Sequence, residues 1–243
     1  MKRKLVIVIG WILVWEILSL CISNPVLMAG PYETLKTLCA MACTAEYWLS
    51  AAGTLARAVC GILAGFVCAA VLGWISYRSR IFREITEPLF SVIKSVPVVS
   101  FIVLILLWTG GKTLSFYISW IVVLPLFYFS FLEGFASADE KYLEMAKMYR
   151  MSKANVFRYI RYPALYAPLC ASVKSAVGLG FKSAAAAEVI GQVKNTVGNG
   201  IYLSKVYLSA TELFAWTITV AVMAYGAEKI LLFLLSKAGG KQV

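Results

Sequence analysis

Histidine is absent from the chain, and only 14% of its 243 residues are charged. The first absence removes the commonest metal ligand and general base. The second removes most of the wet surface that a soluble domain needs, since such domains carry about a quarter charged residues. No CxxC pair occurs among the six cysteines, Cys21, Cys39, Cys43, Cys60, Cys68 and Cys170. Cys39 and Cys43 have no companions to complete a zinc site, and most of the six lie in apolar runs, where free cysteine behaves as a small hydrophobe. Neither a metal, a disulfide framework nor a cofactor is expected. No fixed-period repeat is visible and no nucleophile stands beside a base, so an enzyme within the membrane is not indicated. What remains is 61% hydrophobic with a mean hydropathy of +0.80, a composition that suits lipid as solvent.

A membrane span needs about 20 apolar residues, and six runs qualify. They are Leu5 to Cys21, Ser50 to Ile75 (interrupted by Arg57), Ile85 to Trp108, Leu114 to Phe135, Ala167 to Ile190 and Leu213 to Leu235. The chain therefore reads as an all-α integral membrane protein, one transmembrane domain over residues 1–243. Met1-Lys2-Arg3-Lys4 before the first run resembles the start of a secretory signal. Leu20 precedes Cys21, however, and no small-x-small cleavage site follows promptly, so a retained first helix is expected.

The net charge of +11 would raise nucleic acid as a partner in a soluble chain. Here the cations sit in short segments between apolar runs, and no single basic face emerges. One set of segments holds fifteen Lys and Arg: the N-terminal three, Arg78, Arg80 and Arg83, six between Lys141 and Arg161, and Lys229, Lys237 and Lys241. The alternate set holds four, Lys36, Lys112, Lys194 and Lys205. Lys/Arg bias places the richer set in the cytoplasm, so both termini are expected there. On the outer side, Asn24-Pro25 and Gly30-Pro31 signal turns, and Thr34 to Leu49 reads as a short interfacial helix. Gly110-Gly111-Lys112-Thr113 resembles the end of a P-loop, but residue 106 is leucine where glycine is required. It reads as a hairpin turn.

The segment from Asp139 to Pro163, DEKYLEMAKMYRMSKANVFRYIRYP, is too polar to span. Tyr142, Met145/Ala146 and Tyr149 fall at i, i+3/i+4 and i+7, one apolar helical stripe. Ser152 offers an N-cap for a second short helix with Val156, Phe157 and Ile160, and Pro163 is expected to stop it. Two such helices suit a groove on a cytosolic partner, or the membrane surface.

Glu144-Met145-Ala146, Arg150 six residues on, and the run from Phe157 to Pro163 resemble the EAA loop of binding-protein-dependent ABC importer permeases. Glu87-Pro88-Leu89 through Lys94-Ser95-Val96-Pro97 is similar to the family's stretch leading into the third span. KSAAAAEVIG (Lys182 to Gly191), with Gly198-Asn199-Gly200 after it, is similar to the family's segment at the fifth. Together these cover residues 47–235 and resemble most the nitrate, sulfonate and taurine branch, which also holds permeases for thiamine-related pyrimidines. The resemblance implies a type I importer permease with separate cytoplasmic ATPase subunits and an external solute-binding protein. It also implies that Glu144, Met145 and Ala146 belong to the element coupling permease to ATPase. Arg150 stands where the family has glycine. A left-handed Arg costs about 1–2 kcal/mol, so a turn of different geometry is expected there.

Charges at bilayer depth face a protein interior or a water path. Lys182, near the middle of the fifth span, and Glu188, near its outer end, are the candidates for the translocation path. Pairing between helices or subunits is the alternative. Six residues put them about 240° apart, so they are not expected to meet. Gly61, Gly65, Gly178 and Gly180 are expected to let helices approach closely, and Pro97 and Pro125 to kink their spans. The reading is a permease that pairs with a second copy of itself and moves a small solute (sulfonate, nitrate, taurine or a vitamin precursor) by alternating access. A self-sufficient channel or ion-coupled carrier is the rival, and it favours inverted repeats that this sequence does not display.

Overall fold

The computed structural model describes residues 2–22, 24, 26–138 and 140–238. The side chains of Lys2, Arg3 and Lys4, together with Pro25, Asp139 and Lys241, lie outside that description. Among the described residues the chain is helical, with no strand. The helices are α1 (Lys2–Ile22), α2 (Pro31–Ala42), α3 (Ala45–Arg78), α4 (Arg80–Ser95), α5 (Val98–Thr109) and α6 (Leu114–Ala136). There follow α7 (Glu140–Met148), α8 (Lys153–Val156), a π-helical turn (Phe157–Arg161), α9 (Tyr162–Gly191), α10 (Val197–Val206) and α11 (Ala210–Ala238).

The core is the bundle of α3, α6 and α9. Ile62, Val123, Phe127, Tyr128, Val173, Val177 and Phe181 fill it. Small residues on α3 set how close the helices come. A Cβ on Gly61 would stand 2.5 Å from the Phe116 carbonyl oxygen, and one on Gly65 equally close to Val123 Cγ2. With no apolar drive between helices in lipid, such backbone proximity is what holds them together. Gly180 likewise lies against Ile62, but Gly178 departs from expectation: nothing stands within 4 Å of where its Cβ would be. It lines an open groove instead.

Among the described residues, four helices are long and apolar enough to cross a membrane: Ala45–Arg78, Leu114–Ala136, Lys153–Gly191 and Ala210–Lys237. The expected first span corresponds to α1, apolar over Ile9–Ile22. The expected third span is not a straight crossing. α4 and α5 meet at 98° across the break at Val96 and Pro97. α5, with twelve residues, is only about 18 Å long. The break falls at Pro97, which lacks a backbone donor and holds Val96 out of the helix, and α4 carries its polarity in stripes. Arg80 pairs with Glu84 and Arg83 with Glu87 along one face. Ile81, Ile85, Leu89 and Val92 lie exposed along another, and Phe90 is buried. Thr86, also buried, joins the hydroxyls of Tyr128 (2.8 Å) and Ser76 (3.1 Å). Such faces suit a helix at an interface, and the bent pair α4–α5 has the form of a broken span or a re-entrant loop. Pro125, by contrast, sits inside an unbroken α6.

Two other boundaries differ from the sequence reading. The helix expected over Thr34 to Leu49 is interrupted at Cys43 and Thr44, where the Thr44 hydroxyl caps α3 by accepting from the Tyr47 amide. Pro163 does not stop its helix. The preceding turn widens to π geometry, with the Tyr162 amide donating to the Phe157 carbonyl. Proline needs room from the carbonyl four residues back, and a wider turn supplies it. Helix therefore runs on from Lys153 to Gly191, and the helix that carries the expected fifth span begins well before Ala167.

Candidate functional site

α7 and the turn after it carry all four residues of the expected coupling element. Glu144 is exposed, Met145 is 45% exposed, and Ala146 is buried at 2%. The stripe therefore splits. Ala146 packs inward, while Tyr142, Met145, Met148 and Tyr149 present an apolar surface outward. The helix ends in a Schellman motif. The Met151 amide donates to the Ala146 carbonyl (2.9 Å) and the Arg150 amide to the Lys147 carbonyl (3.1 Å). Arg150 is the left-handed residue of that motif, with φ 50°. The expectation of a different turn is therefore corrected: arginine adopts the conformation that glycine favours. The two hydrogen bonds it permits offset the steric cost. Gln192 and Leu208 occupy the same position after α9 and α10, with φ 47° and 55°, so this fold makes repeated use of side-chain-bearing residues there. Ser152 caps α8 as expected, its hydroxyl accepting from the Asn155 amide.

The two expected path residues go to different places. Lys182 is exposed in a groove of about 450 Å³ between α9, α10 and α11, lined also by Phe181, Ile201, Thr217, Tyr225 and Glu228. It forms no ion pair among the described residues. Glu228, across the groove on α11, forms none either.

Glu188 is fully buried, and its carboxylate ties four elements together. Thr54 donates to Oε2 at 2.8 Å, and the Gly198 amide to the same oxygen at 3.1 Å. Ser115 donates to Oε1 at 2.8 Å, and Arg57 pairs with it at 3.2 Å. The Thr54 hydroxyl in turn accepts from the Val197 amide. These are the inter-helix contacts that the sequence left open as the alternative to a path. Gly198 makes the arrangement possible, because a Cβ there would stand 2.2 Å from the Glu188 Cβ. Sequence reasoning noted Arg57 only as an interruption and missed Thr54 and Ser115 altogether. A lone cation inside an apolar run did carry the signal, since it demands a partner.

The family model described as "Binding-protein-dependent transport system inner membrane component" matches residues 61–237. The taurine transport system permease protein TauC of Escherichia coli (strain K12) is 21% identical over 239 residues, covering 94% of this chain and 86% of that protein. A permease component of this type is a non-catalytic, multi-pass protein of the inner membrane. It works with a separate ATPase subunit and a substrate-binding protein. With the match covering well over half of its length, this chain belongs to the inner membrane components of binding-protein-dependent transport systems.

Proposed function

We propose that two copies of this chain form the passage of an importer for a small organic anion or zwitterion, an aminosulfonate such as taurine being the best fit. The observation that carries the reading is Lys182, an unpaired ammonium at membrane depth facing an open groove. Such a charge needs water, another protein surface or a ligand beside it. A sulfonate supplies the counter-charge for Lys182, and an ammonium on the same solute supplies one for Glu228 across the groove. The similarity to a taurine permease supports the same class. Glu228 with Tyr225 and Phe181 also favours a second reading, an aromatic amine such as a thiamine-related pyrimidine.

The chain acts as one transmembrane domain with both termini in the cytoplasm, supported by the Lys/Arg bias. On this reading α7 enters the ATPase with Glu144, Met145 and Met148 foremost. The left-handed turn at Arg150 sets its angle to α8, and ATP-driven closure moves it to produce alternating access.

The test is uptake by proteoliposomes containing permease, ATPase and binding protein. Lys182→Met should lower ATP-driven taurine uptake at least tenfold while the assembled complex is retained. Uptake unchanged by that substitution removes Lys182 from the passage. Competition by a cationic aminopyrimidine and not by taurine selects the second reading.

A further inference from the structure

A groove of about 910 Å³ opens between the end of α3, α7 and the π turn, lined by Arg78, Lys147, Arg150, Lys153 and Arg161 and, among the described residues, by no acidic side chain. None of these five cations forms an ion pair among the described residues. Aromatic rings hold two of them in place. The Arg161 guanidinium lies 5.2 Å from the Trp74 ring centroid and 5.6 Å from that of Tyr77, and Arg78 lies 5.8 Å from Trp74. Trp74 and Tyr77 belong to the last two turns of a membrane-crossing helix. That is the depth at which such rings meet lipid headgroups. Stacked guanidiniums keep their planar forks free for the bidentate bonds that suit phosphate oxygens.

We propose that this groove binds the phosphodiester headgroup of an anionic phospholipid, with Arg78 and Arg161 on the phosphate and Lys147 and Lys153 at the rim. An acidic segment of the ATPase fits less well. The groove takes the Ala146 side of α7, whereas Glu144 and Met148 face the opposite way. The site depends neither on the transported solute nor on which side of the membrane this end faces. Its failure and that of the transport reading are therefore separate events.

The experiment uses the full chain in phosphatidylcholine bilayers with equal fractions of brominated phosphatidylglycerol or brominated phosphatidylcholine. The difference in fluorescence quenching between the native chain and Trp74→Phe isolates Trp74. Brominated phosphatidylglycerol should quench Trp74 at lower fractions than the zwitterionic lipid. One basic group beside an anionic lipid changes affinity roughly fivefold, so Arg78→Gln with Arg161→Gln should weaken the preference about 25-fold. Because Arg161 is packed on two rings, Lys147→Gln with Lys153→Gln serves as a second variant, expected to weaken it in the same direction. Equal quenching by the two lipids overturns the proposal, as does a preference that survives both double substitutions. Loss of the preference on adding dissolved glycerol phosphate at constant ionic strength assigns the groove to a soluble phosphate and overturns the lipid. Lipid indifference together with lost ATPase retention in the variants assigns it to the ATPase.

Discussion

At the Glu188 end of the α3–α6–α9 core, one carboxylate is closed in by two hydroxyls, an amide and a guanidinium from three other helices. Along the same helix, about 40 Å away by helical rise, the α7 end gathers five cations with no acid among the described residues lining the space between them. Both ends concentrate charge, yet only the first satisfies it within the chain. A buried ion with every lone pair matched contributes rigidity and register. The cations at the other end stack in part on Trp74 and Tyr77, and their field acts chiefly on what approaches from outside. The difference separates the end whose charge is closed within the helices from the end whose charge faces outward.

On the proposed reading the two ends face opposite sides of the membrane, and the largest expected effect is topological. A reporter active only in the cytoplasm should be active when fused after Lys153 and silent after Lys194. The reverse pattern would turn the molecule over and remove α7 from the ATPase side.

Next in size is Glu188→Ala. Removing one partner of a buried ion pair costs about 3–5 kcal/mol, and here the change also strands two hydroxyls and an amide. The melting temperature in detergent should drop sharply, or folded protein should be lost. A variant that melts like the native chain would mean the network is incidental.

Glu144→Lys should show the opposite character. Exposed on α7, it should leave folding within about 0.5 kcal/mol, but it inverts a charge on the proposed docking face. Loss of such an interfacial contact costs about 2–5 kcal/mol, roughly a 30- to several-thousand-fold fall in affinity. Retention of the ATPase on the purified permease measures it, and full retention with normal uptake would exclude α7 as the coupling element.

The smallest effect separates two glycines. Gly198→Ala pushes a methyl against Glu188 and should destabilise by about 1–3 kcal/mol. Gly178→Ala, with nothing within 4 Å, should stay within about 0.5 kcal/mol. Equal melting temperatures would contradict the close approach at the anchor.

How far the sequence foretold these two ends follows from how local each one is. α7, its glycine-like turn position and the Ser152 cap lie within a few residues of one another, so periodicity and capping chemistry located them. Even so, that chemistry could not say that Arg150 would accept a left-handed conformation, because the carbonyls that stabilise it become available only once α7 has formed. The anchor is non-local: Thr54, Arg57 and Ser115 reach Glu188 across 134, 131 and 73 residues. No spacing rule connects them, and only the unexplained Arg57 hinted at a partner. At the third span, Pro97 was visible as a breaker, but apolar length alone suggested a straight crossing. The alternation of ion pairs and apolar residues along α4 had to be read together with that breaker to expect the 98° bend. At Pro163 the reverse happened, for one wide turn absorbed a residue that ordinarily ends a helix.

That wide turn has a mechanical consequence. Because it preserves continuity, a single rod of 39 residues, about 58 Å long, joins the neighbourhood of α7 to the Glu188 anchor. It is not a free lever, for Leu165, Leu169, Val173 and Val177 are buried in the core along its middle, and Leu165 lies against Gly134 of α6. A push on α8 would therefore travel as a shift of packed helices, and it would reach Lys182, six residues from Glu188, only with the layers beside it.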